Sequence, residues 1–294
     1  MPVLSRRSAL SALAASAVLP MAVTAFARRA HPLRGVQLWS VNAEMQADPA
    51  GTLTALKAIG YAVIEGGDTF GMTAQQFRAL TDRIGLKCPS IHANMADLVS
   101  DADAHIALAK TLGARWLVCS SPQPPVALDP AKPWLTAMTQ AMTADAWKVN
   151  AGHLAELAPR VAKAGLTLAY HNHSMEFVDQ GGYCGYDLIA AASPQLRLEM
   201  DLGWVLAAGR DPVATLHQHA GKVDLLHLKD MIVDPAWPTG HRSVALGEGL
   251  IDWKAVLAEA ARCGVRQTFV EQEAPFKEPI LKSLKTSADY LAKA

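Results

Sequence analysis

The chain carries no surplus of charge. Lys and Arg number 27 and Asp and Glu also 27, so the formal net charge is zero. A nucleic-acid or anionic-membrane surface needs concentrated positive charge, and nothing here argues for one. Cysteine is scarce: Cys88, Cys119, Cys184 and Cys263 show no CxxC spacing, which leaves a zinc knuckle or a thioredoxin-like pair without support. Cys88 and Cys119 fall in consecutive expected strands, so a disulfide and two free buried thiols both stay open. No Gly-rich phosphate loop follows the first strand-like segment, which argues against a doubly wound nucleotide-binding sheet. Only 18% of residues are charged, whereas 51% are apolar. A chain of 294 residues with that composition can bury the core of one large α/β domain.

The N-terminus reads as an address. Paired Arg6 and Arg7 follow Ser5, an Ala-rich apolar run comes next, and Ala25-Phe26-Ala27 forms an A-x-A cleavage motif. Residues 1–27 are expected to be a cleaved, twin-arginine-like signal peptide, although Ala9 stands where that signal usually has Phe. The mature chain, 28–294, is then periplasmic, with no membrane contact after cleavage.

From there strand-like and helix-like segments alternate. Strands are expected at Arg34–Trp39, Tyr61–Glu65, Leu86–His92, Arg115–Ser120, Leu166–His171, Leu196–Asp201, Val223–Leu228 and Gln267–Glu271. Helical patterns lie at Pro49–Ile59, Thr73–Ile84, Asp101–Leu112, Ala141–Ala164, Tyr186–Ala192, Asp211–Ala220, Asp252–Cys263 and Pro279–Ala292. Gly60, Gly85, Gly113, Gly165 and Gly264 follow helix ends and precede strands, the punctuation of parallel βα units. Eight such units predict a single-domain (β/α)8 TIM barrel. The longest connections follow the fourth, fifth and seventh strands, on the face where such barrels place their sites.

Parity picks out a site. Along Leu166–Phe177 (LTLAYHNHSMEF), Thr167, Ala169, His171 and His173 share one face. Leu196, Leu198 and Met200 share a parity that leaves Asp201 on the other face. Leu226 and Leu228 likewise leave His227 and Lys229, while Thr268 and Val270 leave Glu271 and Glu273. The same test turns Gln37, Trp39, Glu65 and His92 inward. His171, Asp201, His227 and Glu271 therefore come from four consecutive strands and are expected to meet at the C-terminal mouth. Two imidazoles and two carboxylates suit one divalent ion of the Mn, Co, Zn or Mg group, with positions open to substrate oxygens.

With these residues in place, the chain resembles the sugar phosphate isomerase/epimerase family of xylose isomerase-like TIM barrels. GVQLWSV, YAVIEGG, YHNHSMEF, EMDLGW, LLHLKD, GEGLIDW and FVEQE carry the likeness in order over nearly all of the mature chain. Asp201, His227 and Glu271 match the family's metal ligands on the last three strands. The fifth strand departs, because ketose 3-epimerases have Glu there, a ligand that also moves protons, where this YHNH-type chain has His171. Some relatives act on 3-keto-sugars or 3-keto-glycosides, so the resemblance implies isomerisation, epimerisation or elimination on a small carbohydrate.

The expected chemistry is removal of a proton next to a carbonyl, with Glu271 as base. His173 and Glu176 are candidates for a second acid/base, and Glu176 also counts among the substrate-binding residues. Lys229 is expected to hold an oxyanion or a substrate hydroxyl, with a salt bridge to Asp201, Glu199 or Asp230 as the alternative. Glu65 and His92 suit sugar hydroxyls, with a buried polar pair as the alternative, and Trp39 and Trp204 suit stacking on a sugar ring. The rival readings are a metal-dependent lyase or hydrolase, including the abasic-site endonuclease branch, and a catalytically inactive sugar-binding barrel. Zero net charge and export both argue against DNA as the partner. Monomer and homodimer are both compatible with a helical barrel exterior.

Overall fold

The helix–glycine–strand punctuation builds the molecule. Helix Ala74–Ile84 starts at a Thr73–Gln76 capping box and stops at Gly85, whose φ of 80° puts it in the left-handed region. An L side chain is strained there, so glycine ends the helix and aims the chain into the next strand. The computed structural model describes residues 34–293; the expected leader over residues 1–27 lies outside them. The strands are β1 (Arg34–Gln37), β2 (Val63–Glu65), β3 (Lys87–Ala93), β4 (Trp116–Cys119), β5 (Thr167–His171), β6 (Arg197–Asp201), β7 (Val223–Leu228), β8 (Asp230–Val233), β9 (His241–Val244) and β10 (Gln267–Val270).

β1 through β7 and β10 close a parallel barrel in the order β1-β10-β7-β6-β5-β4-β3-β2. This is the expected eight-stranded TIM barrel. Its large core lies between sheet and helices, and includes Tyr170, Leu198, Met200, Leu226, Leu228 and Val270 from the outward parity. A smaller apolar plug fills the barrel itself: Val63, Trp116, Val118, Ala169, Leu225 and Phe269. All four cysteines are free. Among the described residues, no helix is long and apolar enough to cross a membrane.

Several boundaries differ from expectation for local reasons. β1 ends at Gln37, whose side chain accepts from Trp39 N–H at 3.2 Å and opens a short 3-10 turn over Leu38–Val41. The helix expected from Asp101 already starts at Met95, and Asp101 marks a kink within it at φ −150°. The helix expected over 141–164 is Ala144–Lys163, its start set by Thr143, which caps Ala146 N–H, and a separate helix, Trp134–Ala141, precedes it. The loop after β7 contains an antiparallel hairpin, β8 against β9, with Asp230 opposite Val244. Asp230 anchors that loop, since its carboxylate accepts from the N–H groups of Met231, Gly247, Gly249 and Ile251. A Cβ at Gly249 would stand 2.1 Å from Asp230 Oδ1, so the GEG motif is glycine because the carboxylate needs that space.

Candidate metal centre and cavity

Two residues along four strands separate apolar plug from polar site. Val63 is followed at the same parity by Glu65, Ala169 by His171, Leu225 by His227, and Phe269 by Glu271. Register sets their heights: His171 lies opposite Glu199, and Asp201 opposite His227. Asn172 fastens the ends of β5 and β6, accepting from Asp201 N–H at 3.0 Å and donating to Asp201 O at 3.2 Å. Asp201 in turn caps the next short helix by accepting from Trp204 N–H at 2.9 Å.

His227 is the hub. Its Nδ1 lies 2.8 Å from Glu271 Oε2 and 3.9 Å from Asp201 Oδ2. Its Nε2 lies 2.6 Å from Glu65 Oε2 and 3.2 Å from Glu199 Oε2. His92 Nε2 reaches Glu199 Oε2 at 2.7 Å, and His171 Nδ1 reaches the same oxygen at 3.2 Å. Gln37 Nε2 donates to Glu65 Oε2 at 3.0 Å. Glu65, Glu199, Asp201 and His227 are fully buried.

Four buried carboxylates (Glu65, Glu199, Asp201, Glu271) face the buried ammonium of Lys229 and the imidazoles of His92 and His227. Lys229 Nζ sits 3.0 Å from both Asp201 Oδ2 and Glu271 Oε2 and 2.6 Å from Glu273 Oε1, and 4.5 Å above the Trp204 ring. Burial raises the Glu271 pKa, but Lys229 and His227 outweigh it and hold the carboxyl well below its usual range. Burial, reinforced by the charge of Glu65, pushes Glu199 up to about 7. Burial also disfavours the His92 imidazolium, but the carboxylates of Glu65 and Glu199 prevail and lift it to about 10. His173 has no such partner; burial, then the positive charge of Lys229, lowers it to about 3, so its imidazole is neutral.

Over this floor opens a cavity of about 790 Å³. His92, His171, His173, Glu271 and Glu273 reach it, as do Trp39 and Trp204. Three expectations need correction. Lys229 does not line this cavity: it lies beneath Trp204 in the ion pairs described, so it cannot hold a substrate oxygen from there. Glu65 is covered by the imidazoles of His92 and His227, so it is their partner rather than a partner of sugar hydroxyls. Glu176 is also fully buried and off the cavity, with Oε1 accepting from Tyr170 Oη at 2.8 Å and Oε2 from His173 N–H at 2.9 Å. Trp39 faces the mouth from the 3-10 turn, not from a strand, and is 64% exposed.

A match to the family described as xylose isomerase-like TIM barrel covers residues 53–294. The chain belongs to this family. Among its relatives, rhizopine catabolism protein MocC of Rhizobium meliloti is 23% identical over 241 residues, 73% of this chain and 71% of that protein. Inosose dehydratase of Geobacillus kaustophilus is 24% identical over 188 residues, 61% of each. A sugar phosphate isomerase/epimerase from Parabacteroides distasonis has the same fold, with a TM-score of 0.73 at 21% identity over 94% of this chain and 99% of that one. So does a xylose isomerase-like TIM barrel protein from Mycobacterium smegmatis in complex with magnesium, with a TM-score of 0.66 at 18% identity over 89% and 95%.

The residues of this xylose isomerase-like barrel fit a divalent ion. Among the described residues two groups of four place their donor atoms within 4.8 Å of one another: His171, Asp201, His227 and Glu271, and His92, His171, Glu199 and His227. Imidazole nitrogens and carboxylate oxygens suit Zn, Mn, Co and Mg in different degrees. Glu199 Oε1, on a residue of the second group, is buried with no hydrogen-bond partner, an arrangement that a cation would relieve. The second group was not anticipated. Glu199 shares parity with Asp201 and could have been found by the same test, but His92 reaches it across the barrel. That contact is invisible in local spacing.

Proposed function

We propose that this protein is a divalent-metal-dependent enzyme that removes a proton next to the carbonyl of a sugar or keto-sugar, as an isomerase or epimerase. The observation that carries the reading is the convergence of His171, Asp201, His227 and Glu271 on one buried point at the floor of an open cavity. These four would hold the ion, and Glu199 orients His171. When bound, the ion supplies Lewis-acid polarisation of substrate oxygens. Glu271, kept ionised by Lys229 and His227, takes the proton from carbon. His173, a neutral imidazole at the cavity wall with its backbone held by Glu176, passes a proton to or from a substrate oxygen. Lys229 is a positioning residue that balances Asp201 and Glu271. Trp39 and Trp204 give the sugar ring an apolar face, and His92 meets a hydroxyl.

His171, in a YHNH motif, stands where carboxylate-based ketose epimerases have a second proton-moving group. With Glu271 the lone carboxylate base, return of the proton can give way to loss of a group from the neighbouring carbon. The inosose dehydratase relative favours this lyase outcome as the second reading. The paired Arg6–Arg7 and the Ala25-Phe26-Ala27 motif support export to the periplasm.

Incubation of the manganese-loaded protein in D₂O with a panel of ketoses and 3-keto-glycosides tests the reading. Deuterium uptake at a single carbon is expected, with Glu271→Gln slowing it by about 10²- to 10⁴-fold. Exchange accompanied by an isomer of unchanged composition marks epimerisation or isomerisation, and loss of a group marks a lyase. No exchange with any carbonyl sugar, with sugar affinity unchanged by chelator, overturns the enzyme reading in favour of a binding barrel.

A further inference from the structure

The cavity is larger than one sugar ring requires. At about 790 Å³ it lies in the upper part of the range of small-molecule sites, ~300–1,000 Å³. A lone hexose would leave much of that volume to water.

The walls indicate what fills it. Four of the seven tryptophans line the cavity: Trp39, Trp134, Trp204 and Trp237. Trp39 and Phe70 rise from the loops after β1 and β2. Trp134 begins the helix in the loop after β4, and Trp237 sits at the tip of the β8–β9 hairpin. Trp39 is 64% exposed and Trp134 44%, a large indole area turned to water at a site mouth. Trp134 packs edge-on against His173, with ring centroids 5.0 Å apart, so an aromatic surface continues outward from the proposed proton-transfer group. Indole faces stack on the apolar faces of sugar and aryl rings.

Charge narrows the choice. The carboxylates on the lining are Asp68, Glu271 and Glu273; no Lys or Arg is among the described residues that line it, and the His92 imidazole there is already held by Glu65 and Glu199. Phosphate recognition leans on those cations. The ammonium beneath the floor, Lys229, is already held by three carboxylates.

We infer that the ligand is an uncharged glycoside of at least two rings, the first over His171 and Glu271 and the second, sugar or aryl, stacked on Trp134 and Trp237. Only the role of the first ring rests on the reaction proposed above.

Calorimetric titration of the manganese-loaded protein with glucose, glucose 6-phosphate, cellobiose, maltose and the phenyl glucosides of both anomers tests this. The best two-ring probe is expected to bind at least ten-fold more tightly than glucose, which is ~1.4 kcal/mol. Glucose 6-phosphate should bind no more tightly than glucose. Trp134→Ala should remove most of the two-ring advantage and leave glucose unchanged, and Trp134→Phe should restore part of it. Preference for a disaccharide assigns the second ring to a sugar, and preference for a phenyl glucoside assigns it to an aryl group; either supports the inference. Tightest binding of glucose 6-phosphate, no two-ring probe tighter than glucose, or equal weakening of glucose and two-ring probes by Trp134→Ala each overturns it. Deuterium exchange lost in Glu271→Gln reads the reaction separately. Exchange without a two-ring preference defeats only this inference, and the preference without exchange defeats only the reaction.

Discussion

The lower and upper halves of the barrel interior are built from the same strands and differ in almost everything else. Below, Val63, Trp116, Val118, Ala169, Leu225 and Phe269 make an apolar plug. Above, Glu65, His171, Glu199, Asp201, His227, Lys229 and Glu271 are equally buried but ionisable. A step of two residues, about 6.6 Å of strand, separates Phe269 from Glu271 and Leu225 from His227. Burial of the plug stabilises the fold. Burial of four carboxylates, even beside Lys229 and the imidazoles of His92 and His227, opposes it, and the upper half persists because the lower half and the helical shell over-determine its geometry.

The comparison can be broken from either side, and the largest effect is expected from the plug. Phe269→Ala should cost about 3–5 kcal/mol of stability through the cavity it leaves. Urea denaturation would read this. An equal loss of metal affinity beyond the loss of folded protein would show that the two halves are not separable.

Next in size is Glu199→Gln, expected to weaken metal affinity by about 10- to 100-fold, as when a carboxylate that orients ligand imidazoles is lost. The thermal midpoint of the metal-free protein should hold or rise at pH 8, since one buried charge is gone. Thermal scans with and without chelator separate these effects. A fall of the metal-free midpoint with metal affinity intact would place Glu199 among the stabilising residues instead.

A third effect concerns Glu176, which belongs to neither half. Burial raises its pKa to about 7, although Tyr170 Oη donates to it. Between the ordinary glutamate value of about 4.3 and 7, the folded protein keeps a proton that the unfolded chain has released. Stability attributable to this group should therefore fall as pH rises through that window. Glu176→Gln should flatten the slope of urea-derived stability against pH over the same interval. An unchanged slope would remove Glu176 from the account.

The eight strands were readable because helix caps and C-terminal glycines are local signals, and each lies within a few residues of the boundary it sets. Parity made His171, Asp201, His227 and Glu271 neighbours in expectation for the same reason: a strand sends alternate residues to opposite faces whatever surrounds it. Glu199 shares the parity of Asp201 on β6 and faces the same interior. Glu176 was placed on the correct segment but given the wrong neighbours, whereas Lys229 and Glu65 take their alternatives, the salt bridge to Asp201 and the buried pair with His92. The inward parity of Lys229 says nothing about whether Trp204 will cover it. The short helix that carries Trp204 starts at Asp201, and Gly203, where a Cβ would stand 2.7 Å from Lys229 O, lets it close over the lysine.

What the sequence determined alone is the barrel, its family likeness and the four residues that point into its mouth, because periodicity and capping act over a few residues. Tertiary structure alone decided which carboxylate each imidazole nitrogen faces, that Lys229 lies under the floor, and that Trp134 and Trp237 join Trp39 and Trp204 around one cavity. Those contacts span up to 162 residues, as between Glu65 and His227, and depend on how the loops pack once the barrel has closed.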